Sequence, residues 1–587
     1  MGPIAPQERA CETDGEEFVA RFRRRHGRPP RILHIGNIAN NAYLNAKILN
    51  RAGFDCDVLS HDYYHIMGCP EWEDADIEGD VGDPDFPNWG AVDLAGFERP
   101  QWFAQGSEQV CLAYLLARRR GNHAAADRLW QKMRRQRRGK RAYLWQVFMK
   151  AVQFTGGRAL VGSPMRMLRR MRRSPAAAGI LNVARRMHLR DAGIVLGALA
   201  ALFGYRAGAA LVLALCGGSY LLRFARCAVT RDWRTDRTGR AFATGVQELA
   251  RDFAESFPDR PDALVPSDLD SFGATWTRWR ALLACYDVVV GYATHGIYPL
   301  LADKRPYLAY EHGTIRRIPF ERTPQGRRCA LSYRSADLTL ITNCDNLEAA
   351  ERLGVPAHRF IPHPVNEDFE EAEEAEASAS LRQRLRRVLG AEFLIFHPSR
   401  QHWGPERHPS WEKGNDILIR GFARFVREMC PEAGAVFVEW GRTVDRSKQL
   451  LDSLGVADRV LWVPPMPNRA MIGHLRACDL LADQFFLGAF GSTMPKALLH
   501  GSPAMLYLDE SRHGWCFPEM PPVVNVSTPE EVFEGLRRVY ADPAYRKWLI
   551  DRGRAWYHRY HSAAVITERF TEAIAAVLAE DLPAAHG

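Results

Sequence analysis

Leu487-Gly-Ala-Phe-Gly-Ser-Thr-Met-Pro-Lys-Ala-Leu-Leu-His-Gly-Ser-Pro503 is the stretch of this sequence best suited to hold a small anion. An apolar run from Leu480 to Phe486 leads into Gly488, Phe490, Gly491, Ser492 and Thr493, after which Met494 to His500 reads as a short helix closed by Gly501 and Pro503. A glycine loop between strand and helix can bring backbone N–H groups against a diphosphate, and the positive end of the helix dipole adds to the attraction. An ordinary tight turn is the alternative, because short glycine motifs recur widely. Earlier in the chain His61, Asp62, His65 and Cys69 precede an acidic stretch, Glu71 to Asp85. These are metal-ligand types, but their spacing matches no metal motif, so a solvated loop is expected and no metal or other cofactor.

The glycine stretch resembles the donor-binding segment of retaining glycosyltransferases of the GT-B fold, the group that includes glycogen synthase and many bacterial polysaccharide transferases. That group carries two glutamates with seven residues between them around the loop; the matching positions here are Gly488 and Lys496. The resemblance implies further site residues. Gly36 and Asn37 follow the first strand and would face the cleft. His312 stands where the group places a histidine near the transferred sugar. Arg400 and Lys413 stand where it places its phosphate ligands. Such cations are needed because a departing nucleoside diphosphate develops negative charge, which fixed positive groups in a dry cleft stabilise. With Gly488, Phe490, Gly491, Ser492, Thr493 and Lys496 they make up the expected donor site, and His312 is the catalytic candidate.

The elements that must position these residues are legible as alternation. Arg31 to Ile35, a helical pattern from Asn41 to Arg51 and a strand near Asp55 to Leu59 open a β-α-β series. It resumes with Asp287 to Val290, Pro306 to Tyr310, Leu338 to Ile341 and Phe360 to His363. Glu367 to Ser380 reads as an interdomain linker or linker helix. A second series begins at Phe393 to His397 and runs through strands near Ala435, Arg459, Leu480 and Ala504, with helices between them. Thr528-Pro-Glu-Glu531 is a capping box with proline at the first helical position. The expected fold class is α/β of GT-B type, two Rossmann-like doubly wound domains facing a cleft. Residues 31–100 with 281–365 form the first, 391–540 the second, and 541–580 the C-terminal helices, which in the resembled group cross back onto the first domain.

Residues 101–280 read as a helical insertion. From Arg118 to Arg190, 21 Lys or Arg stand against a single acid, Asp127, so this segment carries +20 while the whole chain carries +9. Within the insertion, Ala192 to Tyr205 and Ala207 to Leu222 are apolar runs of 14 and 16 residues separated by Arg206. Each is shorter than the roughly 20 residues a bilayer core requires, and a single helix would put Arg206 mid-membrane. A hairpin over 192–222 with basic, cytoplasmic flanks avoids both problems. Residues 118–240 are therefore expected to meet an anionic membrane, a soluble helical hairpin being the alternative. Nucleic acid is disfavoured, since phosphate attraction accounts for the arginines but not for the apolar runs. Twelve cysteines without a C-x-x-C pair argue for a reducing compartment, and Met1 to Gly27 is expected not to be a secretory signal.

Together these features lead to the expectation of a retaining glycosyltransferase on the cytoplasmic side of the cell membrane. Its partners would be a nucleotide sugar as co-substrate and a saccharide or lipid-linked acceptor. A catalytically degenerate binding or assembly subunit is the alternative, motivated by Gly488 and Lys496, and a GT-B epimerase or phosphorylase a third.

Overall fold

The computed structural model describes residues 14–137, 237–369, 371–408 and 411–579. The chain divides into two compact units, Met1–Met133 with Thr244–Gly587, and Arg134–Ala243. The first holds both sheets. Among its described residues one sheet comprises β1 (Arg31–Ile35), β2 (Asp55–His61), β3 (Phe103–Gly106), β4 (Val288–Tyr292), β5 (Tyr307–Tyr310), β6 (Leu338–Ile341) and β7 (His358–Phe360). The other comprises β8 (Phe393–His397), β9 (Ala433–Val438), β10 (Val460–Val463), β11 (Leu480–Ala482), β12 (Ala504–Leu506) and β13 (Val524–Asn525). All pairings within the sheets are parallel, in the orders β3-β2-β1-β4-β5-β6-β7 and β10-β9-β8-β11-β12-β13. The two Rossmann-like domains expected from the GT-B resemblance are present.

Burial explains the strand composition. Every residue of β4 and β8 is buried, because helices cover both faces of a parallel sheet and leave no solvent side for polar alternation. In each sheet the order reverses between two neighbouring strands, β1 and β4 in the first and β8 and β11 in the second. The crevice beyond the carboxyl ends of strands at such a reversal is where doubly wound sheets take ligands.

The domains are joined in two ways. After β7 the chain enters the second domain through the helix Glu371–Leu389, in place of a flexible linker. At the end of the chain the helix Ala563–Leu578 returns to the first domain, where Ile566, Phe570 and Ile574 are fully buried in one core with Ile32, Val290 and Tyr310. The Thr528 capping box forms as expected, with Glu531 N–H donating to Thr528 Oγ1 at 3.2 Å and Thr528 N–H donating back to Glu531 Oε2 at 3.2 Å.

The expected insertion is too wide. β3 lies inside residues 101–280, yet pairs with β2 along Val58 to His61. A strand of only four residues that includes Gln105 and Gly106 gives no period-2 signal, so its sheet partner alone defines it. The two ends of the excursion meet at Glu108, whose Oε1 accepts from Trp279 Nε1 at 2.7 Å and Thr275 Oγ1 at 2.9 Å. Arg118 and Arg119, counted in the basic segment, also turn inward. Both pair with fully buried Asp57, and Arg119 lies 4.7 Å from the Tyr286 ring centre. The apolar runs over 192–222 lie outside the described residues. Among the described residues no helix is long and apolar enough to cross a membrane.

The acidic stretch after Cys69 is largely exposed from Asp76 to Asp85, but its first residues depart from a solvated loop. Glu71 and Glu73 are buried, Glu71 against Arg99 at 2.5 Å, because the short helix Pro70–Asp74 packs into the domain interface instead of facing water.

Candidate functional site

The strand ends of the second domain are braced by one neutral histidine. His397 closes β8; its Nδ1 donates to Ala482 O on β11 at 2.7 Å, which leaves Nε2 to accept from Asn415 Nδ2 at 2.9 Å. Burial holds its pKa down at about 4, so this arrangement is fixed at neutral pH. Immediately beyond, Ser399 Oγ donates to Asp483 Oδ1 at 2.5 Å, linking the turns after β8 and β11.

On this base stand the two expected cations. Arg400 lies over the Trp440 ring at 4.6 Å, and Trp440 is anchored by its Nε1 to Pro398 O at 2.9 Å. The guanidinium reaches across the cleft to Met67 Sδ, 3.6 Å away. Lys413 Nζ donates to Gln484 Oε1 at 2.6 Å, and Gln484 Nε2 in turn donates to Ala489 O in the glycine loop. Phe485 N–H donates to Lys413 O at 2.8 Å, and Gly414 is needed between them: its φ is +67°, and a Cβ there would lie 3.2 Å from Phe485 backbone. Burial lowers the pKa values of both Arg400 and Lys413; at Lys413 Asp483 opposes this, while the charges of Arg316 and Arg400 lower it further. Two under-neutralised cations, one within the field of the other, favour an anion.

The first domain supplies the opposite wall. His312 follows β5 on a loop organised by the fully buried Glu311, whose carboxylate accepts from Gly313 N–H, from Asn346 Nδ2 at 2.6 Å and from Ile315 N–H at 3.4 Å. The His312 Nε2 is buried with no hydrogen-bond partner, and burial lowers its pKa to about 4. Neutral at physiological pH, it can meet a sugar hydroxyl without adding charge. Arg316, four residues on, forms a bidentate pair with Asp345 at 2.6 and 2.7 Å, and its field is felt at Lys413.

The remaining expected residues fall elsewhere. Asn37 is 1 % exposed and fully occupied: Nδ2 donates to Asn40 Oδ1 at 3.0 Å and Gly68 O at 2.9 Å, and Oδ1 accepts from Tyr43 N–H at 3.0 Å. It braces the turn that presents Met67 to Arg400. Gly36 backs onto His295, whose Nδ1 would lie 2.6 Å from an added Cβ. Phe490 is a core side chain, stacked between His513 and Phe517 at 5.7 and 5.9 Å. Gly488, with φ +70°, is closed in by Asp509 and Tyr507, whereas Gly491 faces open space and Ser492 and Thr493 are half-buried beside it.

Lys496 is the clearest departure. It is buried, donates to Asn468 Oδ1 at 2.6 Å and pairs with Glu73 Oε1 of the first domain at 3.6 Å, both side chains being 7 % exposed. In place of an open carboxylate the position carries one half of an interdomain ion pair.

Gln484 links Lys413 to the glycine loop that carries Gly491, Ser492 and Thr493, Arg400 follows β8 on the same sheet, and His312 follows β5 of the first domain. The structure adds Trp440, Asp483, Gln484 and Arg316, which motif reading missed. Asp483 and Gln484 could have been found by position, since they end an apolar strand. Among the described residues no cluster of three or more His, Cys, Asp or Glu could hold a metal.

No protein-family profile matches the chain. The D-inositol 3-phosphate glycosyltransferase of Mycolicibacterium smegmatis is 30% identical over 93 residues, which cover 16% of this chain and 21% of that protein. The match thus spans about a fifth of the relative's length. Among solved structures, HepE of Anabaena in complex with UDP and glucose aligns over 52% of this chain and 83% of its own, at 18% identity and a TM-score of 0.41. An α,α-trehalose-phosphate synthase (UDP-forming) from Burkholderia vietnamiensis aligns over 59% and 85%, at 15% identity and a TM-score of 0.39.

Proposed function

We propose that this chain is a retaining glycosyltransferase that takes a nucleotide sugar in the cleft and transfers the sugar to a saccharide or lipid-linked acceptor at the cytoplasmic face of a membrane. One observation carries the reading: Arg400, on the turn after β8, and Lys413, just ahead of the next helix, are desolvated and incompletely neutralised, and the neutral His312 after β5 of the first domain has a buried Nε2 without a partner. A nucleoside diphosphate leaving group fits the cations, and a sugar hydroxyl fits the histidine. The short match to a curated glycosyltransferase is in keeping with it.

Under this reading, charge building on the departing diphosphate is met by Arg400 and Lys413, and no metal is required. Gln484 fixes the direction of Lys413 and couples it to the glycine loop, so donor seating and cation placement are linked. His312 positions the transferred sugar. No protein nucleophile is assigned: in the resembled group the leaving phosphate is thought to take the acceptor proton during front-face attack.

Calorimetric titration of the purified chain with UDP, GDP and their sugar conjugates tests the donor site. Binding of one nucleotide, weakened at least tenfold by Arg400→Ala and by Lys413→Ala, is expected; unchanged binding in both variants removes the cations from the site. For the membrane, the full chain should co-sediment with anionic vesicles through residues 118–240, and a protein that stays in the supernatant refutes that part.

A second reading, a degenerate binding or assembly subunit, is favoured by Gly488 and by Lys496 held against Glu73. A folded protein that binds no nucleotide would carry it instead.

A further inference from the structure

Between Arg400 and Lys413 the chain makes an excursion rich in tryptophan and histidine whose side chains the donor site does not use. Trp403 N–H donates to Thr443 Oγ1 at 3.2 Å and Trp403 Nε1 to Ser447 Oγ at 2.8 Å, which fixes its indole against the helix Val444–Ser453. Trp411 stacks on His408 at 4.2 Å and meets His402 edge-on at 5.0 Å. His408 Nε2 lies 3.3 Å from Arg317 Nη1 of the first domain, so the excursion meets the first domain there.

Two arginines lie on these rings. Arg442 is over Trp411 at 5.2 Å and Arg446 over Trp403 at 5.0 Å. Both are exposed. Among the described residues neither forms an ion pair, although the adjacent Asp445 is exposed; Glu412 is taken by Arg407 at 2.9 Å. A guanidinium held over an indole keeps N–H groups free to grip an oxyanion two at a time. The local field is positive. Burial, then Arg400, Arg442 and Lys413, lower the pKa of His402 to about 4.

We propose that Arg442 and Arg446, held on Trp411 and Trp403, form a second anion subsite that takes the phosphate or carboxylate of a charged saccharide acceptor. The assignment to acceptor rests on the glycosyltransferase reading; the anion subsite itself does not. The donor diphosphate already has Arg400 and Lys413, and the new pair lies on a separate segment of chain, at and just before the start of the helix Val444–Ser453.

The test is calorimetric titration of the full chain with glucose 6-phosphate, glucuronate and glucose, each with and without saturating UDP. We expect one of the two anionic sugars to bind at least tenfold more tightly than glucose, with UDP present or absent. Which one binds decides between phosphate and carboxylate. Arg442→Ala/Arg446→Ala should abolish that binding and leave UDP binding intact, and Arg442→Lys/Arg446→Lys should fall between. Arg400→Ala should do the reverse. Equal binding of glucose, indifference to both double variants, displacement by UDP, or absence of binding overturns the proposal. Failure to bind UDP alone counts against the donor reading instead.

Discussion

The Lys496–Glu73 pair converts a sequence anomaly into a measurable quantity. Each side chain is 7 % exposed and the ions are 3.6 Å apart. Removing one partner of a buried pair leaves the other charge stranded, at about 3–5 kcal/mol. Lys496→Ala should therefore lower stability toward urea by about that amount, or the cleft should open to hydrate Glu73, visible as a larger radius of gyration in X-ray scattering. Lys496→Glu, which restores the acid of the resembled group, should be worse, because it sets two carboxylates together. The exchange Lys496→Glu/Glu73→Lys should recover a large part of the loss. The pH dependence has a definite sign. Burial already raises the Glu73 pKa, and Lys496 opposes that rise; without the lysine it rises further. The deficit of Lys496→Ala should then be largest above the raised pKa and shrink as pH falls and Glu73 takes a proton. If Lys496→Ala stays within about 0.5 kcal/mol of the wild type, as an ordinary surface substitution does, and the radius of gyration is unchanged, the pair does not hold the domains.

Three further outcomes are expected. His34, His397 and His561 are fully buried with pKa values pushed by burial to about 3, about 4 and about 3; the unfolded chain, near 6.5, binds more protons in that window, so stability should fall as pH drops below 6.5, by about 1.4 kcal/mol per pH unit for each. Glu311 and Asp483, with raised pKa values, oppose this only in part, and equal urea midpoints at pH 7 and pH 5 would contradict it. Gly36→Ala, at φ +94° and with its Cβ 2.6 Å from His295 Nδ1, should cost about 1–3 kcal/mol, read as a lowered urea midpoint. Phe570→Ala, at a fully buried position of the returning helix, should cost about 3–5 kcal/mol by the same measurement, and a neutral result would mean that the helix does not hold the first domain's core.

The alternation of apolar runs and helical patterns determined much of the architecture. β1, β4, β5, β6 and β8 lie where their apolar runs placed them, because a strand covered on both faces must be apolar throughout. The Thr528 cap was equally legible, since its donors and acceptors are three residues apart. Arg400 and Lys413 were singled out through the resemblance, which could be laid on the chain because a turn after a strand and a glycine before a helix are local signals. β3 was not: four residues with a central glutamine acquire strand identity only from pairing with β2.

Side-chain direction and distant partners were decided by tertiary structure alone. Gly491 and Phe490 are neighbours in one loop, yet one faces open space and the other the core, and no local pattern separates them. Asn37 has the right type for a ligand contact, but Gly68 and Tyr43 use its amide. Glu71 and Glu73 read as a solvated acidic stretch until Arg99 and Lys496, brought in from remote sequence, offset the cost of their burial. Which elements form is legible in the chain itself because the forces that form them are local. Which groups share a low-dielectric space depends on contacts between residues far apart in the chain, and those contacts set the charges of this cleft.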